Sequence, residues 1–166
     1  MSYALAIGYP LRLIIVEDQS LKVEIELHNR RIWLENRCAA LWSRLYQLED
    51  VPDESYFLVE ELKRQGVVVV GKTAAALLLS MADCTPVRQG LCAPDDIGHN
   101  TLWLGEKTFF PTPFQEQIWL AADGAVSLST LLEQIMPGWR DAQEEQKREI
   151  LEELLALTAE ELCYFR

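Results

Sequence analysis

The chain has 166 residues, of which 49% are apolar, and 15 Lys and Arg face 26 Asp and Glu for a net charge of -11. A length and apolar share of this order suit one domain or two small ones and exclude a disordered composition. The acidity is uneven: residues 1–83 carry nine basic and twelve acidic groups, residues 84–166 six and fourteen. Such a field repels phosphate backbones and anionic membrane surfaces, so nucleic acid is a disfavoured partner and a membrane an excluded one.

The first residues lack a basic segment and a cleavage site of the secretory kind, and the most apolar run, Ala74 to Ala82, is about half of what a spanning helix needs. The expectation is a cytoplasmic protein, in which four Cys are thiols rather than a disulfide framework. Cys38 and Cys163 fall inside apolar patterns, as buried thiols do.

Along the chain, Leu11, Leu13 and Ile15, then Leu21, Val23, Ile25 and Leu27, alternate with polar or outward positions. That period of two marks half-buried strands, with Asp18-Gln19-Ser20 as the turn between them. His28-Asn29-Arg30 turns into a third strand at Arg31-Ile32-Trp33-Leu34. Cys38, Leu41, Trp42, Leu45 and Tyr46 have helical spacing, predicting a helix over 36–48. Pro52 separates it from a second helix over 53–65, closed by Gly66 and followed by a strand at Val67 to Val70. Thr73 to Ala82 reads as a buried third helix. The density of Pro, Gly, Asp and Asn over 84–100 predicts a linker.

The second half opens with a strand at Thr101 to Leu104, a turn at 105–107 and a return strand at 108–110. Thr112-Pro113-Phe114-Gln115 is a helix start with a capping box, leading to a helix ending near Ala122. A short amphipathic helix follows over 127–135. A long one over 141–157 has Asp141-x-x-Glu144 as a possible cap, and a strand closes the chain at Leu162 to Phe165.

Landmarks recur between the halves. Ile32-Trp33-Leu34 pairs with Leu102-Trp103-Leu104, Ala40-Leu41-Trp42 with Gln117-Ile118-Trp119, Phe57 to Leu62 with Ile150 to Leu155, and Val67 to Val70 with Leu162 to Phe165. The fold class expected is therefore α+β, with winged-helix-like units over 1–83 and 101–166, each a small antiparallel sheet with about three helices. Trp103-Leu104-Gly105 followed by Thr112-Pro113-Phe114 resembles the opening of response-regulator winged helices. The first half, with Leu41-Trp42 and Phe57-Leu58-Val59-Glu60-Glu61-Leu62 before Gly66, is similar to the PqqD-like peptide-recognition module, although an extra acid precedes the last Leu.

No phosphate-binding Gly-rich loop and no nucleophile elbow occurs. Only His28 and His99 could serve histidine-based acid–base chemistry, and His28 sits at a strand end. Cys84, Cys92 and His99, with Asp95 and Asp96, fall in one stretch, but the spacing is not that of a zinc knuckle. Glu144, Glu145, Glu149, Glu152 and Glu153 alternate with Lys147 and Arg148, as on a solvated helix face. Neither a catalytic centre, a metal nor a cofactor is expected.

For DNA, the 127–135 helix has no cation and the 141–157 helix is strongly acidic, whereas Arg30, Arg31, Arg37, Arg44, Lys63 and Arg64 give the first half a modest basic face. The resemblance to PqqD-like modules implies a non-catalytic protein- or peptide-binding accessory role. A strand at Arg31, Ile32, Trp33 and Leu34 would pair with an extended peptide, beside Phe57, Glu61 and Arg64 of the neighbouring helix. The alternative is a winged-helix DNA-binding transcriptional regulator.

Overall fold

A computed structural model describes residues 3–15, 20–47, 55–94 and 100–166. The chain forms two compact units, Met1–Ser80 with Arg166, and Met81–Phe165. The architecture is α+β, with six helices and small antiparallel sheets among the described residues.

In the first unit the period-two alternation forms a meander. β2 (Tyr9–Ile15), β3 (Leu21–Leu27) and β4 (Arg30–Glu35) hydrogen-bond in that order. The predicted turn at 18–20 lies almost entirely outside the described residues. His28 and Asn29 close the β3–β4 hairpin between Leu27 and Arg30, and His28 adopts φ 53°. A positive φ at the first loop residue suits the primed two-residue turns that match strand twist. The inward face presents Val23, Ile25 and Leu34, all buried, to α1 (Asn36–Tyr46). α1 buries Ala39, Leu41, Trp42 and Leu45, the stripe its spacing predicts. α2 (Tyr56–Arg64) packs on α1 and on β5 (Val68–Gly71).

A strand absent from the sequence reading, β1 (Tyr3–Ala6), pairs with β5. α3 (Ala74–Ser80) packs over this pair, buries Ala74, Ala75, Leu77 and Leu78, and leaves Leu79 exposed. Gly71 permits that approach: a side chain there would meet the Leu77 backbone nitrogen at 2.1 Å.

The second unit repeats the strand arrangement but not the helix order, with three helices ahead of its closing strand and none after it. β6 (Pro86–Arg88) pairs with the closing strand β10 (Cys163–Phe165), while β7 (Leu91–Pro94), β8 (Asn100–Leu104) and β9 (Lys107–Phe109) form the meander. The expected linker at 84–100 is thus largely sheet in its described part, because Pro86 and Pro94 sit at strand ends and Gly90 turns the chain between strands. Then come α4 (Pro113–Ala121), α5 (Leu128–Ile135) and α6 (Glu144–Ala159). The Thr112–Gln115 capping box forms as read. The cap expected at Asp141 does not: Trp139–Asp141 is a 3-10 turn around the buried Trp139, and Gln143 with Gln146 forms the box that opens α6.

The likeness of the units is carried by hydrogen bonds. The Trp42 indole donates to the Ile7 carbonyl at 3.3 Å, and the Trp119 indole to the Gln89 carbonyl at 3.0 Å. Ile7 N–H donates to Val67, and Gln89 N–H to Leu162. Val67 N–H in turn donates to Leu62, and Leu162 N–H to Leu157. Gly8 and Gly90, at φ 100° and 85°, each follow the first strand of their unit against the central strand: a side chain would meet Ile25 at 2.4 Å and the Trp103 carbonyl at 2.2 Å. This register keeps the pairing of Leu41-Trp42 with Ile118-Trp119 and of Val67 with Leu162. It corrects two others. Leu102-Trp103-Leu104 belongs to central strand β8 and answers to Ile25-Glu26-Leu27, not to Ile32-Trp33-Leu34 on β4. Leu62 answers to Leu157, so the match of Phe57 with Ile150 slips by two residues.

Candidate functional site

β4 is the last strand of its sheet and, among the described residues, pairs only with β3. In an antiparallel hairpin closed at Leu27 and Arg30, alternate residues bond inward. Arg30, Ile32 and Leu34 therefore bond to β3, and the N–H and C=O groups of Arg31, Trp33 and Glu35 point away from it. The side chains divide differently. Leu34 is 1% exposed and belongs to the core, and Ile32 is half-buried. Arg31 and Trp33 stand on the outer face, where Trp33 is 44% exposed.

That outer face is organised around a buried carboxylate. Glu24, on β3 between Arg12 and Trp33 in the ladder, accepts from Arg12 at 2.5 Å and lies 3.6 Å from Arg31. The Arg12 guanidinium also lies over the Trp33 ring, 5.6 Å from its centroid. A buried carboxylate needs such partners, and here they fix the Arg and Trp side chains beside the open edge. Lys22 and Glu35 pair at the end of the same face. Sequence spacing did not single out Arg12 or Glu24; their pairing depends on strand register.

Phe57, Glu61 and Arg64 share one face of α2, at i, i+4 and i+7. Phe57 is 78% exposed, a large apolar surface left in water. Glu61 bonds Gln65 and Arg64, which hold its carboxyl below the usual range. Burial, followed by the Glu61 charge, pushes the Cys38 thiol up. The strand residues and the helix residues are thus on separate elements, each packed on α1. Between α1 and α2 lies a cavity of about 470 Å³ lined by Arg37, Ala40, Leu41, Arg44, Ser55 and Leu58. Since β4 runs directly into α1, Arg37 is two residues from the end of the open edge.

Among the described residues no group of three or more His, Cys, Asp and Glu is placed to hold a metal ion. His99, Asp95 and Asp96 lie outside the described residues. Cys84 is buried, and burial next to Asp83 pushes its thiol up to about 11. Cys163 is buried too, its thiol pushed up to about 12 by desolvation. Both thiols stay protonated and poorly nucleophilic near neutral pH. The acidic residues of α6 pair with Arg148, which bonds Glu145 and approaches Glu152 at 3.8 Å. His28 is an exposed turn residue. No helix among the described residues is long and apolar enough to cross a membrane.

No family model, no curated protein and no solved structure matches this chain.

Proposed function

We propose that the protein is a non-catalytic accessory module that captures an extended peptide or protein segment along β4, on a winged-helix-like plan similar to that of PqqD-like modules. The observation that carries this reading is the open edge itself. It offers the outward backbone groups of Arg31, Trp33 and Glu35 beside the exposed Trp33 ring. Pairing of an incoming strand with such an edge supplies affinity through main-chain bonds and selectivity through alternate side chains. An edge left without a bulge or an inward charge is otherwise a template for aggregation. Exposed Phe57 on α2 and the cavity behind Arg37 are the neighbouring surfaces on which a bound segment could rest its side chains.

Selection from a displayed random-peptide library, followed by binding of the selected peptides to Trp33→Pro, tests the reading. Proline removes an outward N–H and leaves the β3–β4 ladder its bonds, so binding should fall while the fold persists. Peptides that bind this variant as well as the parent would refute the assignment to β4. Steep, salt-dependent binding of random-sequence duplex DNA would favour the regulator class instead.

A further inference from the structure

The two units share a three-stranded meander and a strand pair, and the shared register allows the β4 edge to be compared with its counterpart position by position. Trp42 and Trp119 make the same indole bond, and the hairpins close at Leu27–Arg30 and Leu104–Lys107. On that register β9 answers to β4 and α6 to α2. We infer that the chain is a duplicated binding unit in which only the first copy keeps the last meander strand at full length, so that this strand takes one extended segment per chain, and that this segment is acidic. The inference rests on the peptide-binding reading above.

The second edge is cut short by its own residues, although Phe110, at the position of Trp33, is 70% exposed. β9 has three residues where β4 has six. Pro111 stands at the position of Leu34 and ends the ladder, because it has no N–H to give β8. Thr112, at the position of Glu35, donates its N–H to the Gln115 side chain at 2.9 Å inside the capping box. On α6 the positions of Phe57, Glu61 and Arg64 hold Glu152, Ala156 and Ala159. The apolar anchor and both hydrogen-bonding side chains are gone.

Charge separates the copies in the same direction. Arg30 and Arg31 lie on β4, and Arg37 and Arg44 line the α1–α2 cavity. Their counterparts are Lys107, Thr108, Phe114 and Ala121. The single retained cation, Lys107, lies 3.7 Å from Glu161. Exposed Arg30 and Arg37, with Arg31 shared with Glu24, set positive charge along this edge of a chain of net charge -11 and match an acidic segment. Unit two offers no such match.

Two blocked, fluorescently labelled peptides of equal length test this, both with Val or Leu at alternate positions, one with Glu and the other with Lys between them. The full chain should bind the Glu peptide at one equivalent and weaken with added salt, without measurable binding of the Lys peptide. Amide resonances of Arg31 and Trp33 should shift, while those of Thr108 and Phe110 stay in place. Arg30→Glu with Arg37→Glu, both exposed positions, should weaken the Glu peptide on the order of tenfold or more. Arg31→Pro, which removes an outward donor together with the guanidinium near Glu24, should abolish binding, whereas Arg31→Ala, which removes the guanidinium alone, should only weaken it. Two equivalents, or shifts at Thr108 and Phe110, would overturn the single-edge inference and leave β4 as one of two sites. Preference for the Lys peptide, or binding of neither, would overturn the acidic partner. Binding of the Glu peptide undiminished by Arg31→Pro would overturn the peptide-binding reading of β4 itself.

Discussion

Glu24 shows how a single buried group sets the chemistry of a surface. Its carboxylate is on a face that would otherwise be wet, and it is covered by Arg12 and Arg31 while Arg12 covers Trp33. Neither partner is legible from spacing, since Arg12 and Glu24 become neighbours only once the β2–β3 register, with its shift between Pro10 and Arg12, is fixed. Leu34 illustrates the converse. It reads as part of an exposed recognition strand, yet alternation turns it to the core, and only its neighbours Arg31 and Trp33 face outward. The buried thiols carry a pH signature. Burial raises Cys84 to about 11 and Cys163 to about 12, above the ordinary thiol value of 9.0. The unfolded chain therefore ionises first as pH rises, so stability is intact below pH 9 and falls above it. The limiting slope is about 1.4 kcal/mol per pH unit for each thiol. Unfolding midpoints between pH 8 and roughly 10.5 should decline more steeply in the parent than in Cys84→Ala with Cys163→Ala. Parallel profiles would contradict the assignment of the alkaline loss to these thiols.

At the level of elements, β3, β4 and α1 were legible because alternation of period two and a stripe of period 3.6 are strong, local signals, whereas the alternation of Leu11, Leu13 and Ile15 marks β2 as a strand but not its burial, since all three are exposed. β1, β6 and β7 were not. β1 is short and finds its partner β5 far along the chain, and β6 and β7 are written in the Pro- and Gly-rich composition of a loop. The start of α6 was misplaced because Asp141 and Glu144 mimic a capping box, whereas burial of Trp139 commits that stretch to a tighter turn. The recurrent Trp ties these elements together. Trp42 donates to both Ile7 and Val67, at the junctions where β1 ends and β5 begins, while Trp119 donates to Gln89. Trp42→Phe keeps most of the buried ring and drops the donor. The cost should be about 1–3 kcal/mol in denaturant unfolding, with Trp119→Phe costing less. Equal, negligible losses would mean that packing alone holds α1 and α4 to their strand pairs.

Over the whole molecule, the two units carry one strand arrangement with unequal surfaces. Similar words in the sequence misled the alignment: the two Trp-Leu pairs at 33–34 and 103–104 belong to different strands. The glycines at 8 and 90, set by backbone conformation and close approach, mark equivalent places more faithfully than any side-chain motif. Edge status was suggested only by the family resemblance and not by the residues, because it follows from the order of strands in a sheet and not from the strand's own pattern. The functional account therefore depends on one property of β4, an outward row of backbone donors and acceptors available to a partner strand. Hydrogen exchange resolved at single amides, with and without a saturating library-selected peptide, measures that property directly. The account predicts that exchange at Arg31 and Trp33 slows in the complex while Thr108 and Phe110 exchange as before. Unchanged exchange at Arg31 and Trp33, with protection arising elsewhere in the chain, would contradict it.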